Sequence, residues 1–385
     1  MGNLANQMLQ FMAALALAEH APGAVISNVH LPIFNIHHHA VPGAGATEIV
    51  TSPRIDHAGL GRRLAAGALE RVDIRTYAQR IENFLPPDAY RPLFRAPIPP
   101  PPTAGPHELL INIRQGDILD GHHPDYVLIP LDFYAELIGR TGLDPVFMGQ
   151  LEDSPYMAAL RARFPTARFL PSGGAAVDFE RIRRARHIVP SISTFAWAAA
   201  WLSEAETIHL PVLGLLNPAQ NRGVDLLPLD DPRFRFYQFP LHYSCPVGQF
   251  AAAHASLAGL WRYLPADRLA PLLRRAPPPR QKHLYLQAFD ESFYRTVNPD
   301  IDAAIAAGHL PSGRSHFDNT GFDEGRAAFA LDRAWYCRTY PIAALEIAQN
   351  DFHDTDQHWL ELGQARGYGR GGADLAHISF RPGSG

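Results

Sequence analysis

Between residues 107 and 245 the chain alternates short apolar runs with helix-like segments, and this alternation constrains the fold more than anything else in the sequence. Leu109–Ile113, Pro145–Met148, Ala167–Leu170, His187–Pro190 and Thr207–Leu210 are runs of strand type. Between them lie Leu131–Gly139, Pro155–Phe164, Asp178–Ala185 and Thr194–Leu202, which have helical spacing. Strands joined by helix-length crossovers pair in parallel, and a parallel sheet needs helices on both faces. Ligands of such sheets sit beyond the carboxyl ends of the strands. Upstream, Met8, Met12 and Leu15 predict a helix over residues 4–19, followed by a short strand at Ala24–Ser27.

Two proline-rich stretches, Ala96–Pro106 and Ala276–Gln281, can continue neither a helix nor a central strand. They divide the chain into residues 1–100, 107–275 and 283–370. The last region repeats internally at an offset of about 42 residues. Asp290 aligns with Asp332, Phe293 with Trp335, Tyr294 with Tyr336 and Pro299 with Pro341. At the same offset His316 meets His358, Phe317 meets Trp359, Gly321 meets Gly363 and Gly325 meets Gly367. Each unit is expected to form a small helical hairpin that buries its aromatics against its neighbour.

Composition narrows the function classes. A net charge of −4 gives no basis for a nucleic-acid partner. Arginine far outnumbers lysine, which suits bidentate phosphate contacts. Cys245 and Cys337 stand too far apart in sequence to suggest a disulfide framework or a zinc knuckle, which fits a reducing cytoplasm. The opening segment lacks a basic flank and is interrupted by Asn3, Asn6, Gln7 and Gln10, so it is not read as a secretion signal.

Three segments carry candidate chemistry. Asn112-Ile113-Arg114-Gln115-Gly116-Asp117 follows a buried-type strand and sets Arg114 at the ligand edge of the sheet. A guanidinium there can grip a diphosphate with a planar fork and neutralise a leaving nucleotide, although a surface ion pair is the commoner role for such an arginine. Ser193, Thr194 and Phe195 open a helix after another strand, where unpaired N–H groups can seat a phosphate. A plain N-cap accounts for the same residues. Gly2, Asn3, Asn6 and Gln7 lie at the head of the first helix, where amides can bond a sugar or where ordinary capping suffices.

Together these segments resemble bacterial α-1,2-fucosyltransferases and, more distantly, the wider fucosyltransferase superfamily of GT-B fold. Gly2, Asn6, Gln7, Met8 and Gln10 match a G-x-x-G-N-Q-M-x-Q opening, and Leu31-Pro32-x-Phe34-Asn35-Ile36 is similar to the element that follows. Asn112 to Asp117 match an H-x-R-R-G-D signature, followed by Phe133-Tyr134. Ser193 to Trp197 match S-S-F-S-W, and Asp178 stands where the family carries an Asp that reads guanine. The likeness covers roughly residues 1–215.

The resemblance implies an α/β, GT-B-like architecture. Two Rossmann-like domains would face each other, residues 1–100 on the acceptor side and 107–275 binding the donor, with a helical repeat appendage. It also implies a strand ahead of the glycine-bearing loop, so a truncated start is expected. The implied activity is inverting, metal-independent transfer of fucose from GDP-fucose, or of another GDP-sugar, to a glycan hydroxyl, without a cofactor. Arg114 would hold the β-phosphate, with Asn112 beside it in the signature and Asp117 as base or orienting partner. Ser193, Thr194 and Phe195 would seat the phosphates, Asp178 would pair with guanine, and Asn6 and Gln7 would line the cleft. The repeats are similar to short N-P-D-containing repeats appended to assorted bacterial glycosyltransferases, and would serve any protein or membrane-associated partner. The expected place is the cytoplasm, with the inner-membrane periphery as the alternative.

Asn112 and Gln115 depart from the signature histidine and second arginine, and Ala5 and Ala196 replace a family glycine and serine. These departures motivate a rival reading, a non-catalytic glycan- or partner-binding protein on the same fold. His37, His38 and His39 are read as a solvated loop rather than ligands of one ion. Asp300-x-Asp302 and Asp354-x-Asp356 lie in the repeats and are read as chance D-x-D matches. His122 and His123 would line an acceptor cleft or a polar loop.

Overall fold

The computed structural model describes residues 3–42, 45–121 and 123–371. The chain opens with helix α1 (Leu4–Ala18), which buries Ala5, Met8, Leu9, Met12, Ala13 and Ala16 at three- and four-residue spacing. Strands β1 (Val29–Leu31) and β2 (Ile36–His38) then form an antiparallel pair. The strand expected at Ala24–Ser27 is not formed. Val25 is 80% exposed, and the ladder with β2 begins at Val29.

Strands β3 (Thr47–Val50) and β4 (Arg71–Ile74) pair in parallel around helix α2 (His57–Ala65), whose cap Asp56 accepts from Gly59 N at 2.8 Å. Among the described residues these two-stranded pieces are the only sheets before residue 107. The expected second Rossmann-like sheet is therefore absent from the described part of residues 1–100. Helix α1 is shared between two cores: Ala13 and Leu17 pack with Val50, Val72 and Ile74 of β3 and β4, which stay two strands wide. Met8, Leu9, Phe11 and Met12 join the core of the large sheet that follows.

That sheet contains β5 (Glu108–Ile113), β6 (Asp144–Gly149), β7 (Arg168–Pro171), β8 (His187–Val189), β9 (Thr207–Val212), β10 (Phe234–Gln238) and β11 (Arg262–Leu264). The helices between β5 and β9 are α3 (Gly116–Leu119), α4 (Leu131–Thr141), α5 (Pro155–Arg163), α6 (Ala175–Arg184) and α7 (Thr194–Trp201). In space the order is β7-β6-β5-β8-β9-β10-β11, all parallel except β11, which is antiparallel to β10. Counted from β5 this is the 3-2-1-4-5-6 order of dinucleotide-binding sheets with one antiparallel edge strand. The chain leaves β5 in one direction and returns at β8 on its other side, so a crevice opens between the carboxyl ends of these two strands. Leu109, Leu110 and Ile111 have no exposed surface, as a central parallel strand requires.

Ala96–Pro106 is strapped to the domain rather than loose. Thr103 Oγ1 donates to Arg181 O at 2.7 Å, and Ala96 N donates to buried Glu180 at 3.1 Å. Helix α8 (Phe250–Leu257) lies between β10 and β11, and α9 (Ala266–Arg274) and α10 (Lys282–Gln287) follow the last strand.

The repeat has a clear physical basis. Its first unit contains α11 (Glu291–Val297) and α12 (Pro299–Ala306), followed by the single turn α13 (Gly313–His316). The second contains α14 (Arg333–Thr339), α15 (Pro341–Ala348) and α16 (Thr355–His358). Asp290 and Asp332 cap the first helices, accepting from Phe293 N at 2.9 Å and Trp335 N at 2.8 Å. Tyr294 bonds His316 Nδ1, and Tyr336 bonds His358 Nδ1, both at 2.9 Å. A Cβ on Gly321 or Gly363 would stand 2.3 or 2.4 Å from the respective tyrosine hydroxyl, so only glycine fits. The units share an aromatic core built on Tyr285, Tyr294, Phe317, Phe329 and Tyr336. The second unit also docks on the α/β domain, where Cys337, Ala344 and Ile347 cover Ala219 and Leu241.

Candidate functional site

The crevice between β5 and β8 brings together the segments containing Asn112–Asp117 and Ser191–Phe195. Asn112 is 7% exposed and bridges the crevice from within β5. Its Oδ1 accepts from Ser191 Oγ at 2.7 Å, and its Nδ2 faces Met148 on β6, 3.3 Å from the sulfur. The side chain thus ties the ends of three strands.

Arg114 emerges one residue beyond β5. Its fork is occupied by Asp117, with Nη2–Oδ2 at 2.6 Å and Nε–Oδ1 at 3.2 Å. One guanidinium face lies over the Tyr126 ring at 4.1 Å. Tyr126 in turn meets the His123 ring edge-on at 4.8 Å, while His122 lies outside the described residues. The Asp117 side chain is half exposed, so this ion pair contributes at most about 1 kcal/mol and can exchange partners. Stacking fixes the arginine plane while leaving the charge available.

Gln115, 2% exposed, does not face a ligand. Its amide donates to Glu152 O at 2.6 Å, and its oxygen accepts from the Ser154 hydroxyl. The loop after β6 supplies a support that the sequence did not disclose. Gln150 Oε1 accepts from Gln115 N at 2.9 Å and Gly116 N at 3.0 Å, which shapes the turn out of β5. Gly149 makes this approach possible. Its φ is +109°, and a Cβ there would lie 2.6 Å from Ile113 O.

Ser193 caps α7 by accepting from Phe195 N at 3.2 Å. Ser191, Ser193 and Thr194 are all buried, whereas Phe195 is half-buried and meets Phe179 edge-on at 5.7 Å. That contact carries the site toward Asp178, the residue before Phe179. Asp178 is 8% exposed and its oxygens are engaged locally, accepting from Ser172 Oγ, from Gly173 N at 3.1 Å and from Arg181 at 3.3 Å. It anchors the loop that enters α6.

Asn6 accepts from Gln79 Nε2 at 2.9 Å, and Gln79 O accepts from Asp225 N in the segment after β9. Gln7 lies in the same first turn, its backbone N–H donating to Asn3 O at 3.2 Å. Gly2 lies outside the described residues.

Other sequence candidates have separate roles. Asp300 pairs with Arg326 at 2.9 Å and Asp302 with Arg295 at 2.6 Å. Asp356 pairs with Arg333 at 2.7 Å, while Asp354 caps α16. Among the described residues no group of three or more His, Cys, Asp or Glu side chains converges as a metal site. No helix among them is long and apolar enough to cross a membrane. A groove of about 360 Å³ beside the end of α1, lined by Leu15, Glu19, Leu85, Tyr90 and Leu93, contains none of the candidate residues. Comparison with family models, with characterised proteins and with solved structures returns no match to this chain.

Proposed function

We propose that the chain is a glycosyltransferase whose nucleotide-sugar donor lies in the crevice between β5 and β8. The observation that carries this reading is the Asn112–Ser191 bond at the switch point, with the Arg114 fork immediately outside it. The reading extends to GDP-fucose, or another GDP-sugar, through the resemblance in residues 1–215. In a GT-B-like arrangement α1 and the two small sheets would take the place of the facing domain.

In the proposed reaction Arg114 turns from Asp117 to the donor's diphosphate. An acceptor hydroxyl attacks the anomeric carbon, the bond to the phosphate oxygen breaks, and the guanidinium neutralises the departing GDP. Asp117, released from the fork, takes the acceptor proton. Charge neutralisation by arginine makes the proposed step metal-independent.

The non-catalytic reading keeps support from Asp178 and Gln115, whose polar atoms serve the fold in this structure. A thermal-shift panel of nucleotides and nucleotide sugars, followed by a transfer assay with the best binder, separates the two. Stabilisation by GDP-sugars with release of GDP to a glycan acceptor supports the enzyme. Binding without donor turnover supports the binding protein, and no response to any nucleotide removes both nucleotide-based readings.

A further inference from the structure

The β1–β2 hairpin carries a side-chain cluster that the proposed reaction does not use. His30 and His37 are directly opposed in the antiparallel register. Both are exposed, their ring centroids lie 4.8 Å apart, and their Nδ1 atoms approach to 3.0 Å. His38 belongs to the other face, as strand alternation requires. Its Nδ1 meets Ile26 O at 3.0 Å, and its ring packs edge-on against Phe11. The run His37–His39 is therefore not a set of three converging ligands. One of its members has found a partner on the neighbouring strand.

In the free chain one Nδ1 must carry a proton and donate it to the other. A metal ion would take both lone pairs instead. The protonated ring would move that proton to its own Nε2, so neither imidazole would change charge. Two nitrogens at roughly 2.0–2.1 Å from an ion and 3.0 Å from each other subtend about 90–97°. Tetragonal Cu(II) and Ni(II) prefer angles near this, whereas tetrahedral zinc would need the nitrogens about 3.3 Å apart. The strands are held without a metal. Phe34 in the connecting turn packs on Phe94 at 5.2 Å and Phe179 at 5.0 Å, so the backbone that carries both imidazoles is fixed in advance and each ring has only to turn its Nδ1 from its neighbour to the ion.

We propose that His30 and His37 form a two-imidazole chelate for a divalent transition ion of tetragonal preference, Cu(II) ahead of Ni(II), with water in the remaining positions. The site is independent of nucleotide binding. Its test is calorimetric titration of Cu(II), Ni(II) and Zn(II) into the tag-free full chain and into His30→Ala, His37→Ala and His38→Ala. Metal-free melting temperatures establish that each variant is folded. The expected result is one tight Cu(II) per chain, weaker Ni(II) and weakest Zn(II). Either His30→Ala or His37→Ala should lose affinity by roughly 100-fold, the scale of losing one arm of a two-point contact. His38→Ala should bind as wild type does. A folded His37→Ala protein with wild-type Cu(II) affinity overturns the proposal, as does an equal loss in His38→Ala.

Discussion

Asp178 is committed to the fold by its local contacts. Its oxygens hold Ser172, Gly173 and Arg181, so a guanine base would have to displace at least one of these donors. Asp178→Ala is accordingly expected to destabilise the protein by about 1–3 kcal/mol, the cost of leaving buried donors unpaired. If it also reads guanine, calorimetry with GDP and UDP will show wild type favouring GDP and the variant losing that preference. Equal wild-type affinities would remove the guanine assignment. The positions of Arg114 and Ser193 beyond the carboxyl ends of β5 and β8 were legible in the sequence because each comes shortly after a buried-type strand. Gln150, Gly149 and Tyr126 were not. Their roles arise from contacts across strands and loops, 12 to 36 residues away, with no local pattern to reveal them.

At the scale of elements, β5 to β9 and α4 to α7 lie within a few residues of the positions that periodicity predicts. Buried parallel strands and amphipathic crossovers leave strong local signals. β10 and β11 lacked that framing because only the short turn Gly214–Leu216, with no α-helix, stands between β9 and β10, and β11 is a three-residue edge strand. Ala24–Ser27 failed because strand propensity needs a partner.

The interiors of these elements also set an acid limit. Burial lowers His209 on β9 to about 3, with His187, Arg235 and Arg140 adding to the shift. Burial, assisted by His254 and Arg338, lowers His242 to about 3 as well. Below an unfolded value near 6.5 the unfolded chain binds protons that the folded chain refuses. Stability from these groups is therefore complete above that pH and declines as pH falls toward 3. By linkage each costs about 2 kcal/mol at pH 5. Urea denaturation at pH 7 and pH 5 should show the drop, with His209→Gln removing part of it. A flat profile in wild type would contradict the assignment.

On the scale of the whole molecule, the α/β domain and the repeats are joined by a small apolar seam. Leu241 N donates to Ala344 O at 3.2 Å, Arg338 donates to Ser244 O at 3.0 Å, and Asn350 donates to Leu272 O at 3.0 Å. The repeats have their own aromatic core, so a chain ending at Pro277 is expected to fold and bind nucleotide, but to melt at a lower temperature than the full chain. A folded truncated chain without nucleotide binding would place the repeats in the site. The repeat was readable because the same bonds, Tyr294–His316 and Tyr336–His358, recur at one offset. The docking of its second unit was not readable, because Cys337, Ala344 and Ile347 acquire a partner only in the folded chain.

The central claim is that Arg114, beyond the tied ends of β5 and β8, receives a nucleotide diphosphate. Titration calorimetry of GDP into wild type, Arg114→Ala and Arg114→Lys tests it most directly. Arg114→Ala should weaken binding by about 1.5–3 kcal/mol, the scale of a hydrogen bond to a charged group, and Arg114→Lys should recover only part of it. Unchanged GDP affinity in a folded Arg114→Ala protein, or no GDP binding by wild type, would contradict the account.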